Sequence, residues 1–356
     1  MPAHPTRCRL IPVTTLKPYP IMKHRMNMLQ IEALANSIAS AGFAPADAPL
    51  QPGQIALANE TRFNESYFSE PLTAYAVGWR DATPIEETLQ FFAPAVPVNR
   101  RFSYAEDMNV EAFLSDTDDE RAIGADFKRV EYTSKKTDAK TTNRGLTIRV
   151  DLDEVADKTS WQQNYVNKLM RRLKRSELRR AITLLSNAAT NTAKTWDTTA
   201  GKDPDKDIET DILTATTASG VRPTRVGFGD TAWDKRKLAF RAQNNAAGYA
   251  SAGMTPEALA GYLGVDRVLV SRERYQSTAS AKAEIVNNLV LEFIAADNLD
   301  TEDSSNIKRF VSPVVGGGYV RVYEQQVTSK LYDITVEHYS LIKITSTLGL
   351  RKLTIS

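Results

Sequence analysis

Cysteine is nearly absent from these 356 residues: Cys8 stands alone, so no disulfide forms within the chain. Histidine is almost as scarce, with His4, His24 and His338 far apart in sequence. Cys8 and His4 share one extended segment with no orienting partner, which argues against a nucleophilic thiol. His338 shares strand parity with Ile334, Val336 and Ile342 and reads as a satisfied core residue. Neither GxGxxG nor a Walker loop occurs. Gly227-Phe228-Gly229 leads into Asp230-Thr231-Ala232 without the third glycine, and Gly316-Gly317-Gly318 lacks a following lysine and helix. Asp151, Asp153 and Glu154 sit where a strand hands over to a helix, and acids at a helix start need no metal to explain them. No catalytic residue, cofactor or metal is therefore expected. No apolar run approaches the roughly 20 residues of a membrane helix. The first ten residues lack the apolar core of a signal peptide. The net charge of +2 confines any affinity for nucleic acid to a local patch.

Large apolar side chains are also missing between Thr133 and Gly145. Glu106 to Glu120 holds seven acidic residues and no basic one, whereas Arg121 to Arg149 holds eight basic against three acidic. Both flanks of the polar tract alternate. Val130 and Tyr132 precede it; Leu146, Ile148, Val150 and Leu152 follow at period 2. That pattern predicts a two-stranded ribbon with a mobile tip at 133–145, dispensable for the compact domains. An isolated ribbon is marginal in water, so this one is expected to offer its surface to another subunit. A disordered surface loop is the alternative.

Proline is concentrated at the start, with twelve of sixteen in the first 97 residues. Proline fixes φ and removes a donor, which predicts an extended arm. One amphipathic helix, about 28–41, interrupts it. Such an arm gains stability by lying across a neighbour.

A long helix is predicted from about Thr159 to Ala189. Tyr165, Val166, Leu169, Met170, Leu173, Leu184 and Leu185 form its apolar side. Lys168, Arg172, Arg175 and Arg179 form an opposite stripe, with Arg171 beside it. Between Lys168 and Arg180 lie seven basic residues and only Glu177 to offset them, an excess that nearby polyanion would relieve. Residues 196–211 read as a polar linker. Beyond it, 225–229, 267–270 and 289–294 read as strands. Trp233–Arg241 reads as a helix, and so does a segment opened by Thr255-Pro256-Glu257 and stopped near Gly264. Further strands are expected at 319–323, 334–337 and 341–344.

Phe68-Ser69-Glu70-Pro71-Leu72-Thr73-Ala74-Tyr75-Ala76-Val77-Gly78-Trp79 is followed by Phe91-Phe92-Ala93-Pro94-Ala95-Val96-Pro97-Val98 and Phe102-Ser103-Tyr104. After the charged ribbon and the basic helix come Arg222-Pro223-Thr224-Arg225-Val226-Gly227-Phe228, Trp233 and Ile334-Thr335-Val336-Glu337-His338-Tyr339. In order and pattern, from about Glu60 to the end, this resembles the major capsid protein of a tailed bacteriophage. The resemblance implies an α+β fold of the Hong Kong 97 type. It divides the chain into an N-terminal arm (1–60), an arm-to-loop segment partly in the peripheral domain (61–99) and an extended loop, or E-loop (100–151). A peripheral domain with a spine helix (152–202), an axial domain (203–331) and C-terminal peripheral strands (332–356) follow.

The same resemblance implies a structural protein, not an enzyme, that self-assembles as hexamers and pentamers into an icosahedral shell around double-stranded phage DNA. Lys168, Arg171, Arg172, Arg175 and Arg179 would face the genome independently of its sequence. Asp116, Asp118, Asp119, Glu120, Lys135, Lys136, Lys140 and Arg144 would lie between subunits. Separate scaffold and portal proteins are implied as partners, with no membrane. The virion would be the location, with assembly in the host cytoplasm. Some members cross-link lysine to asparagine, a chemistry not assigned to Lys135, Lys136 or Lys140. The alternatives are a nucleic-acid-binding module using the helix at 168–180 and, more weakly, an enzyme working near Asp230 or Asp153.

Overall fold

Among the described residues, two five-stranded sheets are joined by one long helix that touches both. The structure, a computed structural model, describes residues 67–79, 85–106, 120–121, 126–127, 135–155, 159–296, 305–314 and 318–356. The proline-rich arm with Cys8, His4 and His24, the helix expected at 28–41, and Asp116, Asp118, Asp119, Val130 and Tyr132 lie outside the described residues.

The described chain opens with α1 (Glu70–Val77) and α2 (Ile85–Phe92), then β1 (Ala95–Pro97) and β2 (Arg101–Glu106). Next come β3 (Lys135–Lys140), β4 (Thr142–Asp151), the short α3 (Leu152–Val155) and α4 (Trp161–Ala188). After β5 (Thr190–Lys194) follow α5 (Pro204–Ser219), β6 (Arg225–Gly229), α6 (Asp230–Ala242), α7 (Ala246–Ala252) and α8 (Pro256–Leu263). The remainder is strand: β7 (Arg267–Ser271), β8 (Arg274–Gln276), β9 (Lys282–Glu284), β10 (Leu289–Phe293), β11 (Ile307–Val311), β12 (Val320–Gln326), β13 (Leu331–Ile344) and β14 (Arg351–Ile355).

In the first sheet β13 is the common partner of β4, β11 and β12, all antiparallel, and β1 adds parallel to β11. Its period-2 side chains Ile334 and Val336 are fully buried against Val166, Leu169, Met170 and Leu173 of α4 and Leu72 of α1. Each such side chain stabilises by about 1.5–3 kcal/mol. The strands expected separately at 334–337 and 341–344 are one strand, because Ser340 pairs with Val311 and Thr142 and leaves no break.

The second sheet runs β5-β14-β10-β6-β7. Val226, Phe228 and Val290 face Ile208 and Ile212 of α5, Trp233 of α6, and Leu259 and Leu263 of α8. The other face meets Phe91 and Phe92 of α2 and Leu178, Ile182 and Leu185 of α4. Helix α4 thus packs its first turns on one sheet and its last turns on the other. Gly227 is required there, since a Cβ would collide with the Phe92 ring. Expected caps are present: Thr255 accepts from the Ala258 amide (3.3 Å), Pro256 follows, and Gly264 ends α8 at φ 63°.

Four expectations need correction. The ribbon pairs β2 with β3, Tyr104 opposite Thr137, whereas 142–151 pairs with β13, Ile148 opposite Ile334. Residues 135–140 and 142–145 are therefore strand rather than tip. Backbone pairing needs no large side chains, and small Ala139 packs beside Val96, Val98, Tyr104 and Phe310. Removing 133–145 would cut into the first sheet, not a dispensable tip. The expected linker at 196–211 is instead a buried tryptophan followed by α5. Trp196 is 2 % exposed and donates from Nε1 to Asp207 Oδ2 at 3.0 Å, and Asp203 caps the helix by accepting from the Lys206 amide at 3.2 Å. Finally, sheet membership crosses the boundary drawn at 331/332. β11 and β12 belong with β13, while β5 and β14 join β6, β7 and β10.

Candidate functional surfaces

Helix α4 carries its charges on two different faces. Glu177 follows Leu173 by four and precedes Ala181 by four, so it falls on the apolar stripe and is 1 % exposed. Around it converge Arg309 Nη1 (3.3 Å), His338 Nε2 (3.1 Å), Lys174 Nζ (3.9 Å) and Arg180 Nη2 (3.9 Å). Burial alone would raise this carboxyl. The hydrogen bond with His338, then the charges of Arg309, His338 and Lys174, outweigh burial and hold it well below the usual carboxylate range. His338 is buried as expected and also lies 2.9 Å from Ser340 Oγ.

The basic excess is accordingly smaller than the sequence count suggests. Lys174 also reaches Glu86 at 2.9 Å. Arg175, expected on the free stripe, is half-buried and lies 3.8 Å from Glu273 Oε2 of the β7–β8 connection. It is the member of the stripe that turns away from solvent. Lys168, Arg171, Arg172 and Arg179 are exposed along α4. Two of them lean on aromatic rings: Lys168 Nζ sits 4.5 Å from the Tyr165 centroid and the Arg179 guanidinium 4.1 Å from that of Tyr275.

The ribbon is the second surface. β3 exposes Lys135, Lys136, Asp138 and Lys140. Lys135 lies 3.9 Å from Glu106 on β2, a pair of the exposed sort that contributes about 0–1 kcal/mol. Inward, Phe102 and Tyr104 pack on Phe310, with centroids 4.6 and 5.3 Å away, and so fix the ribbon base to the first sheet. Glu120 is exposed. Arg144 is on a different strand and sheet from Lys135, Lys136 and Lys140 of β3. It lies on β4 opposite His338, and with Arg179 it lines one groove beside α4.

A buried ionisable cluster that the sequence reading missed sits under α5. Glu292 is fully buried between Leu291 and Phe293, and both its carboxyl oxygens lack a hydrogen-bond partner among the described residues. Arg351, opposite it on β14, is committed to Asp211 Oδ1 at 2.8 Å. Burial, then the Asp211 charge, push the Glu292 carboxyl well above its usual value against the pull of Arg351. Its signal was an acid inside an apolar strand run, Leu289-Val290-Leu291-Glu292-Phe293.

Neither alternative enzyme site is assembled as a catalytic constellation. Asp230 pairs with Arg274 (3.1 Å) and Arg272 (3.5 Å), and Asp153 with Lys330 (2.6 Å). Among the described residues no group of His, Cys, Asp and Glu is placed to hold a metal ion, and no helix is long and apolar enough to cross a membrane.

No protein-family model and no curated protein matches the sequence. Solved structures do. A phage-related protein from Bordetella bronchiseptica RB50 aligns over 80 % of this chain and 96 % of its own, at 18 % identity and a TM-score of 0.59. A chain from the capsid of cyanophage P-SCSP1u aligns over 89 % and 99 %, at 12 % identity and a TM-score of 0.47. One from Gordonia phage Cozz aligns over 87 % and 98 %, at 13 % identity and a TM-score of 0.48. The chain has the α+β fold of the Bordetella phage-related protein, the class that the sequence resemblance implies.

Proposed function

We propose that this chain is a shell-forming subunit, the major capsid protein of a tailed bacteriophage, and not an enzyme. The observation that carries this reading is the fold it shares with nearly the whole of a phage-related protein. In this reading the first sheet with α4 is the peripheral domain, and the second sheet with α5 to α8 is the axial domain. Residues 1–60 are the arm and 100–151 contain the extended loop. Axial domains meet at the centres of hexamers and pentamers, and the ribbon reaches a neighbouring subunit. Each subunit then touches several others, so individually weak contacts add through effective concentration.

Lys168, Arg171, Arg172 and Arg179 face double-stranded DNA inside the shell. Exposed cations along a helix neutralise phosphates without reading bases, so the contact is independent of sequence. Scaffold and portal functions belong to separate proteins, assembly takes place in the host cytoplasm, and the product is the virion. Sedimentation velocity of the purified full chain tests the reading. Rings and closed particles are expected, whereas a small species at every concentration would leave only a nucleic-acid-binding module.

A further inference from the structure

Beside the C-terminal half of α4, where β13 ends, lies a groove of about 360 Å³. Arg144, Arg179 and Arg180 line it, Ser176 and Thr183 add hydroxyls, and Leu341 contributes apolar wall. No carboxylate is among its described lining residues. Three cations thus converge from two elements far apart in sequence. β4 delivers Arg144 through its register with His338, and α4 delivers the other two from successive positions.

Like charges so placed repel, and what holds them there is only partly internal. Tyr275 supports the Arg179 guanidinium from beneath at 4.1 Å. Arg180 reaches Glu177 at 3.9 Å, but that carboxylate is already engaged more closely by Arg309 and His338. Arg180 Nε is buried and has no hydrogen-bond partner among the described residues. Burial, and then the Arg144 charge, make the Arg180 guanidinium less basic than usual. An anion seated in the groove would offset the mutual repulsion of the three guanidiniums.

We propose that this groove is a binding site for a phosphate group. Guanidinium forks match the oxygens of an oxyanion bidentately. A phosphate offers more acceptor oxygens than a carboxylate, and so suits three guanidiniums and two hydroxyls together. A duplex presents its backbone phosphates outward, so it would place one of them in the groove and leave its bases outside. Arg179 also belongs to the exposed stripe, which makes the groove an end point for DNA lying along α4. That source rests on the genome-facing reading; occupation by free phosphate does not.

The test is calorimetric titration of the full-length chain with inorganic phosphate at constant ionic strength. One saturable site is expected. Arg144→Gln with Arg180→Gln should weaken it about tenfold or more, the loss of charge-assisted hydrogen bonds. Lys282→Gln, an exposed lysine of β9, should leave it unchanged. Where the glutamine pair fails to fold, Arg144→Lys with Arg180→Lys decides: it keeps the charge, loses the fork and should bind measurably more weakly. A short duplex that displaces phosphate from the parent identifies DNA backbone as the source; a duplex that does not identifies free phosphate. Absence of saturable phosphate binding, or equal binding by parent and variants, overturns the site. So does an acidic peptide spanning 116–120 that binds where phosphate does not. Particle formation is scored separately by sedimentation, so failure of the groove and failure of the shell reading are told apart.

Discussion

Arg309 Nη1 donates to Glu177 Oε2 at 3.3 Å in the interior, joining strand β11 to helix α4 across 132 positions of sequence. The same guanidinium donates from Nε to the Ala93 carbonyl at 3.3 Å. Helix α4, the first sheet and the segment after α2 are therefore fastened at one buried ion pair. Removing one partner of a buried pair leaves an uncompensated charge, which costs about 3–5 kcal/mol. Glu177→Ala should lower unfolding free energy by that amount in denaturant titration.

Glu177 also sets an acid limit. Its folded carboxyl ionises well below the ordinary 4.5, so the unfolded chain binds the extra proton first as pH falls. Stability from this group is complete above about 4.5 and is lost as pH drops through the folded value. Glu177→Gln should flatten this part of the profile of melting temperature against pH.

Glu292 has the opposite sign. Its folded carboxyl takes up a proton more readily than in the unfolded chain, so its contribution is full at acid pH and is lost as pH rises above 4.5. Gln in its place carries no charge, so it removes both the buried ionised carboxylate and its repulsion from Asp211. Glu292→Gln should stabilise the protein by about 1 kcal/mol at neutral pH, with the gain vanishing on acidification. Melting curves at several pH values check this.

Phe102 anchors the ribbon rather than the body. Phe102→Ala removes its contact with Phe310, whose centroid is 4.6 Å away, and should cost about 3 kcal/mol or less because the ring is only half-buried. Its larger effect should fall on assembly, through loss of ribbon orientation. The check is particle yield compared with melting temperature in the same preparation.

Replacing Lys168, Arg171, Arg172 and Arg179 with glutamine removes the exposed ridge without touching the Glu177 cluster. Empty shells should form normally, while packaged DNA should decrease and leave the particle at lower temperature. DNA content and heat-induced release, measured against parent particles, decide the point. Equal values in both would contradict a genome-facing ridge.

What was legible in the sequence follows from periodicity and caps. The long helix announced itself by its apolar stripe, and α8 by Thr255, Pro256 and Gly264. Glu177 looked like a surface counter-charge because its partners, Arg309 and His338, lie more than a hundred positions away. The tract at 135–145 looked like a loop because strand pairing here is supplied by backbone groups and small side chains, which leave no apolar pattern. Trp196 was placed in a linker because its polar neighbours hid a side chain that buries. Arg144 and Arg179 were assigned to separate surfaces because only the register of β4 on β13 brings them to one groove.

Electron microscopy of the purified full-length chain under assembling conditions tests the central claim most directly. The account predicts closed icosahedral particles built of five- and six-membered rings, with the second sheets at the ring centres and α4 on the inner wall. Dispersed single subunits under every condition, or shells with α4 on the outer wall, would contradict it.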